Sequence, residues 1–177
     1  MIHRFKVVSI NTIKKNMEVN NMSMRSDRAV EVFQNGFSCS QAVVVVFADI
    51  LKIDESILLR ISSGFGAGMG KLQKTCGAIT GAFMVISYLY GFSDEKDVKQ
   101  KGKVYGIVKD FSDKFSQYYN DTDCIELLGC NLNSEEGKKK FNDDNLNQER
   151  CSKFIEDAVK ILEDIILNNS KLQNKDV

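Results

Sequence analysis

The sequence predicts an all-α fold, a single-domain bundle of about five to six helices with a glycine-rich loop before the central helix. Apolar residues recur at the three- and four-residue spacing of a helix along most of the chain. Residues that cap helices, such as Ser38 and Asp54, stand directly before these segments. The sequence has neither hairpin signals nor strand–helix alternation, which argues against sheet-containing folds.

The first half of the chain predicts three helices, marked by capping residues at their starts or by a glycine stop. The second of them contains four consecutive valines, Val43 to Val46, which favour a strand locally. The Ser38 cap and the length of the apolar pattern outweigh this preference, so we expect one continuous helix there. The three predicted helices cover residues 26–34, 38–52 and 55–61.

The second half predicts three further helices and one short helical turn. The first of these helices follows the glycine-rich loop (Gly64–Lys71) and ends near Gly91. The next is the longest, with apolar residues at alternating steps of four and three. A polar connection then leads to Leu146 and the last helix. The predicted helices cover residues 76–91, 94–119 and 148–168, and the turn covers residues 124–128.

The predicted domain covers residues 22–177, and residues 1–21 are expected to be a disordered or non-native N-terminal extension. This first stretch has a weak apolar pattern and lacks the features of a signal peptide, so we expect a cytoplasmic location with reduced thiols. The two most apolar stretches, 42–51 and 78–90, are shorter than the roughly 20 residues that span a membrane. Both are predicted to be core helices.

The charge and histidine content narrow the function classes. Lysine and arginine together number 24, as do aspartate and glutamate, so the formal net charge is zero. This balance gives no support to a nucleic-acid partner or a membrane anchor. The single histidine, His3, lies in the N-terminal extension, which argues against a cysteine–histidine nucleophile and a mixed cysteine–histidine zinc site.

Four of the five cysteines are predicted to lie at the start of a helix. Their neighbours support this placement, because Ser38 with Gln41 and Asp123 with Glu126 have the spacing of capping boxes, and Asn147 could cap the last helix. Unpaired amides and partial positive charge at a helix N-terminus favour thiolate over thiol. We therefore expect a catalytic site built from sulfur anions, formed by Cys39, Cys76, Cys124 and Cys151.

The fifth cysteine, Cys130, follows Gly129 at the end of the short predicted turn. No fan of helix amides is expected to point at its side chain. We assign no role to Cys130.

The glycine-rich loop does not match a nucleotide-binding motif. Phe65 stands where a phosphate-binding loop needs its first glycine, and Leu72 follows Lys71 in place of serine or threonine. Glycine lets a backbone approach a compact ligand closely, so we expect the loop and the next helix to contact the site. The predicted cofactor-contacting glycines are Gly66, Gly68, Gly70 and Gly77, and Lys71 and Lys74 could steady thiolates or attract an anionic partner.

At these residues the chain resembles a family of small putative redox-active proteins named for a C…GCAxxG…C…C pattern. Residues 37–42 resemble its first cysteine segment, residues 75–81 its signature, residues 124–129 its third segment and Cys151 its fourth. The chain reads Cys-Gly-Ala where the family name reads Gly-Cys-Ala. The resemblance implies redox work through four cysteines, in proteins often linked to transporters or oxidoreductases.

Three functions remain open at this point. The first is thiol–disulfide or electron exchange with a protein redox partner, an oxidoreductase or a transporter-linked protein. The second is an iron–sulfur or zinc site with the four cysteines as metal ligands, in an electron carrier or sensor. The third is a non-redox helical interaction protein whose cysteines are small core residues. The oligomeric state is open, with a homodimer among the choices.

Overall fold

The computed structural model describes residues 24–173, with side chains up to Asn169. Over this range the chain forms nine α-helices in a single domain and no β-strand, so the all-α prediction is confirmed with more helices than expected. The extension predicted for residues 1–21 lies outside the described residues. The helices are α1 (24–34), α2 (Cys39–Val45), α3 (Ala48–Leu51), α4 (Glu55–Ser62), α5 (Gly77–Tyr90), α6 (Val98–Tyr119), α7 (Cys124–Leu128), α8 (Glu135–Asp143) and α9 (Ser152–Gln173).

The central helix of the bundle is α5, which packs against α2, α6 and α9. Its apolar side chains are buried almost all round, as expected for a helix in the middle of a core. Gly77 and Gly81 lie one turn apart on the side that faces α2. A Cβ atom on Gly81 would lie 2.9 Å from the Ser40 carbonyl oxygen, so glycine allows this close approach of α2.

The helix predicted over residues 38–52 is broken at Val46 and Phe47, so the expectation of one continuous helix is wrong. The valine run ends α2 at Val45, where the Phe47 amide turns back to the Val44 carbonyl at 3.2 Å, and α3 begins at Ala48. The break leaves the Val46 carbonyl free to accept a hydrogen bond from Arg25. Crowded β-branched side chains disfavour a helix, and Arg25 stabilises the interruption.

Arg25 ties the break to the rest of the bundle. Its guanidinium pairs with Asp49 of α3 at 2.7 Å and with the buried Glu163 of α9 at 3.1 Å. The same group lies over the Phe47 ring, 5.0 Å from its centroid. One side chain of α1 therefore links α2, α3 and α9.

The glycine-rich loop contains a left-handed turn, which the sequence did not predict. The five consecutive residues 67–71 all have φ between 50° and 67°, and the Gly70 amide closes the turn on the Gly66 carbonyl at 2.9 Å. Three of these residues, Ala67, Met69 and Lys71, carry a side chain. Left-handed backbone costs about 1 kcal/mol for each such residue, so the surrounding structure must hold the turn in place.

The connection from the turn at Cys124 to Leu146 contains a helix, α8, that the sequence analysis missed. Ser134 caps it by accepting a hydrogen bond from the Gly137 amide at 3.0 Å, and Glu135 and Glu136 occupy the first turn. A Cβ atom on Gly137 would collide with the Asn131 carbonyl oxygen, so the chain needs glycine there. The helix brings Phe141 to the site described below.

No helix within residues 24–173 is long and apolar enough to cross a membrane. The two apolar stretches singled out from the sequence lie instead within the α2–α3 region and α5. Most side chains of both stretches are buried, as predicted, but residues 42–51 are divided between two helices, so only residues 78–90 lie in a single core helix.

Candidate functional site

The four cysteines at predicted helix starts line one cavity of about 520 Å³. They reach it from separate parts of the chain, at α2, at the start of α5, at α7 and just before α9. Cys130 is buried nearby but is not among the described residues that line the cavity. All five cysteines lie in the described range and are free thiols. The fold therefore brings together the cysteines that the sequence grouped and leaves Cys130 out.

The cavity wall is mostly apolar. Aromatic rings come from α1, α8 and α9, and aliphatic side chains come from α7 and the segment that follows it. Backbone of the glycine-rich loop forms a further part of the wall. The large apolar lining residues are Phe33, Leu127, Leu128, Leu132, Phe141 and Phe154.

Cys39 is the first residue of α2, and its local structure matches the prediction. Ser38 accepts a hydrogen bond from the Gln41 amide, while the Gln41 side chain accepts one from the Ser38 amide at 2.9 Å. A hydrogen bond from the Cys151 side chain lowers the pKa of the Cys39 thiol below its usual value. Burial opposes this shift, and the amides of Ala67 and Cys39 itself add to it. Cys39 is thus the cysteine best suited to be a thiolate.

Cys151 is the hydrogen-bond partner of Cys39. It ends a π-helical turn, Asn147–Cys151, that runs directly into α9. Asn147 is the first residue of this turn and Leu146 holds the N-cap position, so the predicted role of Asn147 as the cap is wrong. The hydrogen bond to Cys39 raises the pKa of the Cys151 thiol, and burial raises it further. Of the two thiols, Cys39 therefore gives up its proton more readily than Cys151.

Cys76 occupies the N-cap position of α5, one residue before the helix begins. The amides of Ala78 and Ile79 favour its thiolate, as expected at a helix start. Burial outweighs them and raises the pKa of the Cys76 thiol, and the nearby charge on Cys39 acts in the same direction. Placement at a helix start does not make this cysteine a thiolate.

Cys124 is the first residue of α7, but the amides there are already engaged. Its own amide donates to the Lys74 carbonyl at 2.8 Å, and the Ile125 amide donates to the Gln73 carbonyl at 3.2 Å. The predicted reciprocal cap is wrong, because the Asp123 side chain makes no cap to described residues. Burial, followed by the charge on Cys39, raises the pKa of the Cys124 thiol to about 12.

Gln73 is a buried polar residue that the sequence analysis missed. Its side chain donates to the Cys130 carbonyl at 2.9 Å and accepts from the Leu132 amide at 2.7 Å. Its backbone has a positive φ of 54°, and its side chain also hydrogen-bonds Cys124. A lone glutamine between Leu72 and Lys74 gives no sequence signal of this bracing role.

Of the four glycines predicted to contact a cofactor, Gly66 and Gly70 line the cavity, and all but Gly70 lie at close contacts between protein segments. A Cβ atom on Gly77 would lie 3.0 Å from Cys39 Cβ, and one on Gly68 would lie 2.7 Å from Cys124 Cβ. A Cβ atom on Gly66 would collide with Ser38, whereas one on Gly70 would meet only the Gly64 carbonyl at 3.5 Å. Close packing of the cysteine-bearing segments accounts for three of the four glycines.

The two lysines near the loop differ in position. Lys71 lines the cavity and is exposed, whereas Lys74 is exposed and is not among the described lining residues.

The amide of Ala67 and the apolar wall are the other functional features that the sequence did not reveal. For α8 a signal existed, since Ser134 followed by two glutamates is typical of a helix start.

The donor set for a metal centre is all sulfur, which would suit zinc or an iron–sulfur cluster. In the described part of the chain, however, no group of three or more histidine, cysteine, aspartate or glutamate side chains is arranged to hold a metal ion. The side chains as placed do not fit a metal centre, and the metal hypothesis stays a prediction.

Comparison with known proteins gives one match. A family model described as "Putative redox-active protein (C_GCAxxG_C_C)" matches residues 37–165, well over half of the chain and all four cavity cysteines. No curated protein and no solved structure matches the chain. The resemblance inferred from the cysteine segments is thereby confirmed.

Proposed function

The chain belongs to the C_GCAxxG_C_C family of putative redox-active proteins, and we propose that it carries out thiol–disulfide exchange with Cys39 as the attacking thiolate. The observation that carries the proposal is geometric, because the fold brings Cys39 and Cys151 to one cavity with the other two cysteines, and Cys151 is the main cause of the lowered Cys39 pKa. A lowered thiol pKa beside a second thiol is the arrangement that exchange chemistry needs.

The reaction has two steps. The Cys39 thiolate attacks one sulfur of a disulfide R–S–S–R, forming Cys39–S–S–R and releasing RS⁻, which takes up a proton. The Cys151 thiol then loses its proton and attacks the Cys39 sulfur, which releases the second thiol and leaves a Cys39–Cys151 disulfide. The two cysteines together give up two electrons, and the substrate disulfide gains them.

Cys76 and Cys124 would act after this first exchange. Both thiols are protonated while Cys39 is a thiolate, and the Cys39 charge is one reason. Oxidation of Cys39 removes that negative charge, so Cys76 and Cys124 each lose one cause of their raised pKa. Either could then attack the new disulfide and pass the oxidation deeper into the cavity.

The predicted protein redox partner would regenerate the reduced form. Two exposed apolar side chains beside the cavity support a contact with this partner. They are Phe37 and Leu72, and each is next in sequence to a residue that lines the cavity. The cytoplasmic location expected from the sequence would supply such reductants. A structural role for the cysteines makes a different prediction, namely that none of them reacts faster than Cys130.

The test is site-resolved thiol labelling of the oxygen-free full-length protein with iodoacetamide near neutral pH, followed by peptide mass spectrometry. We expect Cys39 to react at least about tenfold faster than the other four cysteines, because only the thiolate is the nucleophile. A stoichiometric amount of a disulfide should then give a Cys39–Cys151 bond on acid-quenched mapping. Metal analysis of the same preparation tests the iron–sulfur and zinc alternative.

The controls are Cys39→Ser, which should abolish the fast phase, and Cys130→Ser, which should leave it unchanged. Labelling of Cys39 no faster than of Cys130 would contradict the proposal. A preparation with bound iron and sulfide, bleached by Cys39→Ser, would favour the metal hypothesis instead.

A further inference from the structure

Access to the four thiols runs through the cavity. Cys76, Cys124 and Cys151 are buried, with 4–8% of their surface exposed, and Cys39 is only half-buried at the cavity wall. A small molecule can enter a pocket of this kind and reach the buried thiols as well as Cys39. The cavity volume of about 520 Å³ lies within the range of about 300–1,000 Å³ that small-ligand sites occupy.

The wall chemistry indicates what kind of small molecule fits. Six large apolar side chains surround the sulfur atoms, and Lys71 is the one charged side chain among the lining residues that the structure describes. Lys71 is exposed, so its ammonium is solvated and does not offset the burial of an anion deeper in the cavity. Burying an unpaired charge against such a wall is costly, so an uncharged, apolar ligand is favoured.

We propose that the cavity binds a small, uncharged organic disulfide with aryl or branched-alkyl substituents and holds its S–S bond against Cys39. The inference rests on the proposed function, since it names the substrate class of the same exchange reaction. The apolar substituents pack against the rings of Phe33, Phe141 and Phe154. Cys39 forms the mixed disulfide, Cys151 displaces it, and two molecules of uncharged organic thiol leave the cavity.

A disulfide fits the site better than a hydroperoxide. Cleavage of a hydroperoxide expels an alkoxide, which is a far stronger base than a thiolate and needs an acid to protonate it. Among the described lining residues only Lys71 and the cysteine thiols could donate that proton, and no histidine, arginine or carboxylic acid is present. A thiolate is a much weaker base than an alkoxide, so cleavage of a disulfide needs less help from an acid.

The test compares two chromogenic disulfides of similar size, uncharged 4,4′-dithiodipyridine and dianionic 5,5′-dithiobis(2-nitrobenzoate). Rates of the full-length, oxygen-free protein with each reagent are divided by the rates of N-acetylcysteine, which corrects for intrinsic reactivity. We expect the corrected rate to be about tenfold or more higher for the uncharged reagent, because the dianion must bury charge.

A filled-cavity variant supplies a second measurement. Leu132 is partly buried in the wall, so Leu132→Trp should occupy the cavity and slow the uncharged reagent about tenfold. Ile57→Trp is the matched control, because Ile57 of α4 is 52% exposed and is not among the described lining residues. Circular dichroism and urea unfolding establish that both variants fold.

The outcomes separate this inference from the proposed function. Equal corrected rates for the two reagents, with Cys39 still labelled fastest by iodoacetamide, would overturn the substrate class and leave thiol exchange intact. A rate for Leu132→Trp equal to that for Ile57→Trp would also overturn it. If Cys39 reacts no faster than Cys130 with iodoacetamide, the proposed function itself fails, and the substrate class fails with it.

Discussion

Cysteines at helix starts have opposite pKa shifts on the two sides of the cavity. Cys39 and Cys124 are both the first residue of a helix, yet the pKa of Cys39 is lowered and that of Cys124 is raised to about 12. On the Cys39 side, the amide of Ala67 and the thiol of Cys151 reach the sulfur. On the Cys124 side, burial raises the thiol pKa, and the first helix amides donate to loop carbonyls. A helix start therefore lowers a thiol pKa only where the donors that reach the sulfur outweigh the burial of the thiolate.

The left-handed turn of residues 67–71 joins these two sides. Gly68 packs its backbone against Cys124, and its carbonyl accepts from the Lys74 amide at 3.1 Å. The preceding residue, Ala67, directs its amide to Cys39. The strained turn thus fixes one donor at the Cys39 sulfur by anchoring itself on the Cys124 side. Substitutions in the turn and at the thiols can separate two roles, the anchoring of the turn on Cys124 and the lowering of the Cys39 pKa.

The largest expected effect comes from Gly68→Ala on the Cys124 side. The new Cβ atom would lie 2.6 Å from the Lys74 carbonyl oxygen and 2.7 Å from Cys124 Cβ, at a φ of +67°. Overpacking and left-handed strain together should lower the free energy of unfolding by about 3 kcal/mol. Urea unfolding measures the change.

Gly70→Ala is the matched control for Gly68→Ala. Gly70 has nearly the same φ, +66°, but its Cβ would meet one atom at 3.5 Å, so only the strain of about 1 kcal/mol applies. Equal losses in the two variants would contradict the anchoring of the turn on Cys124.

An intermediate effect is expected from Cys151→Ala on the Cys39 side. The hydrogen bond from Cys151 is the main cause of the lowered Cys39 pKa, so its removal raises that pKa. Once the pKa exceeds the assay pH, each further unit lowers the thiolate fraction about tenfold, so labelling at neutral pH slows and the pH profile moves to higher pH. The measurement is the rate of iodoacetamide labelling of Cys39 across pH.

Two variants control for the loss of a buried side chain at Cys151. Cys151→Ser keeps a donor and should shift the profile less than Cys151→Ala does. Cys124→Ala removes a thiol that is not among the causes of the Cys39 shift, so the profile should stay where it is. A larger shift of the pH profile in Cys124→Ala than in Cys151→Ala would contradict the assignment of Cys151 as the residue that lowers the Cys39 pKa.

The sequence was a good guide where local chemistry decides the structure. The capping box of Ser38 and Gln41 forms as predicted. It depends on residues only a few positions apart, so a single sequence reveals it. The grouping of four distant cysteines came instead from their shared position before helices and from the family resemblance.

The sequence was a poor guide where distant segments compete for the same backbone groups. Asp123 has the spacing of a cap, but the carbonyls of Gln73 and Lys74 take the amides of α7. The left-handed turn contains alanine, methionine and lysine, none of which favours positive φ, so only tertiary contacts explain it. In both places the decisive partners come from a loop that local patterns do not describe.

The smallest expected effect separates strain from positioning within the turn itself. Ala67→Gly relieves left-handed strain at a φ of 50° and keeps the amide that reaches Cys39. The relief of about 1 kcal/mol is partly offset by the greater freedom of glycine in the unfolded chain, so unfolding should become about 0.5 kcal/mol less favourable. Met69→Gly, at a φ of 66° and without a described contact to Cys39, should give a similar gain. We also expect neither Ala67→Gly nor Met69→Gly to move the pH profile of Cys39 labelling, because the turn is anchored through Gly68. A profile that moves to higher pH in Ala67→Gly alone would show that the side chain of Ala67, and not the anchor at Cys124, holds the amide at the sulfur.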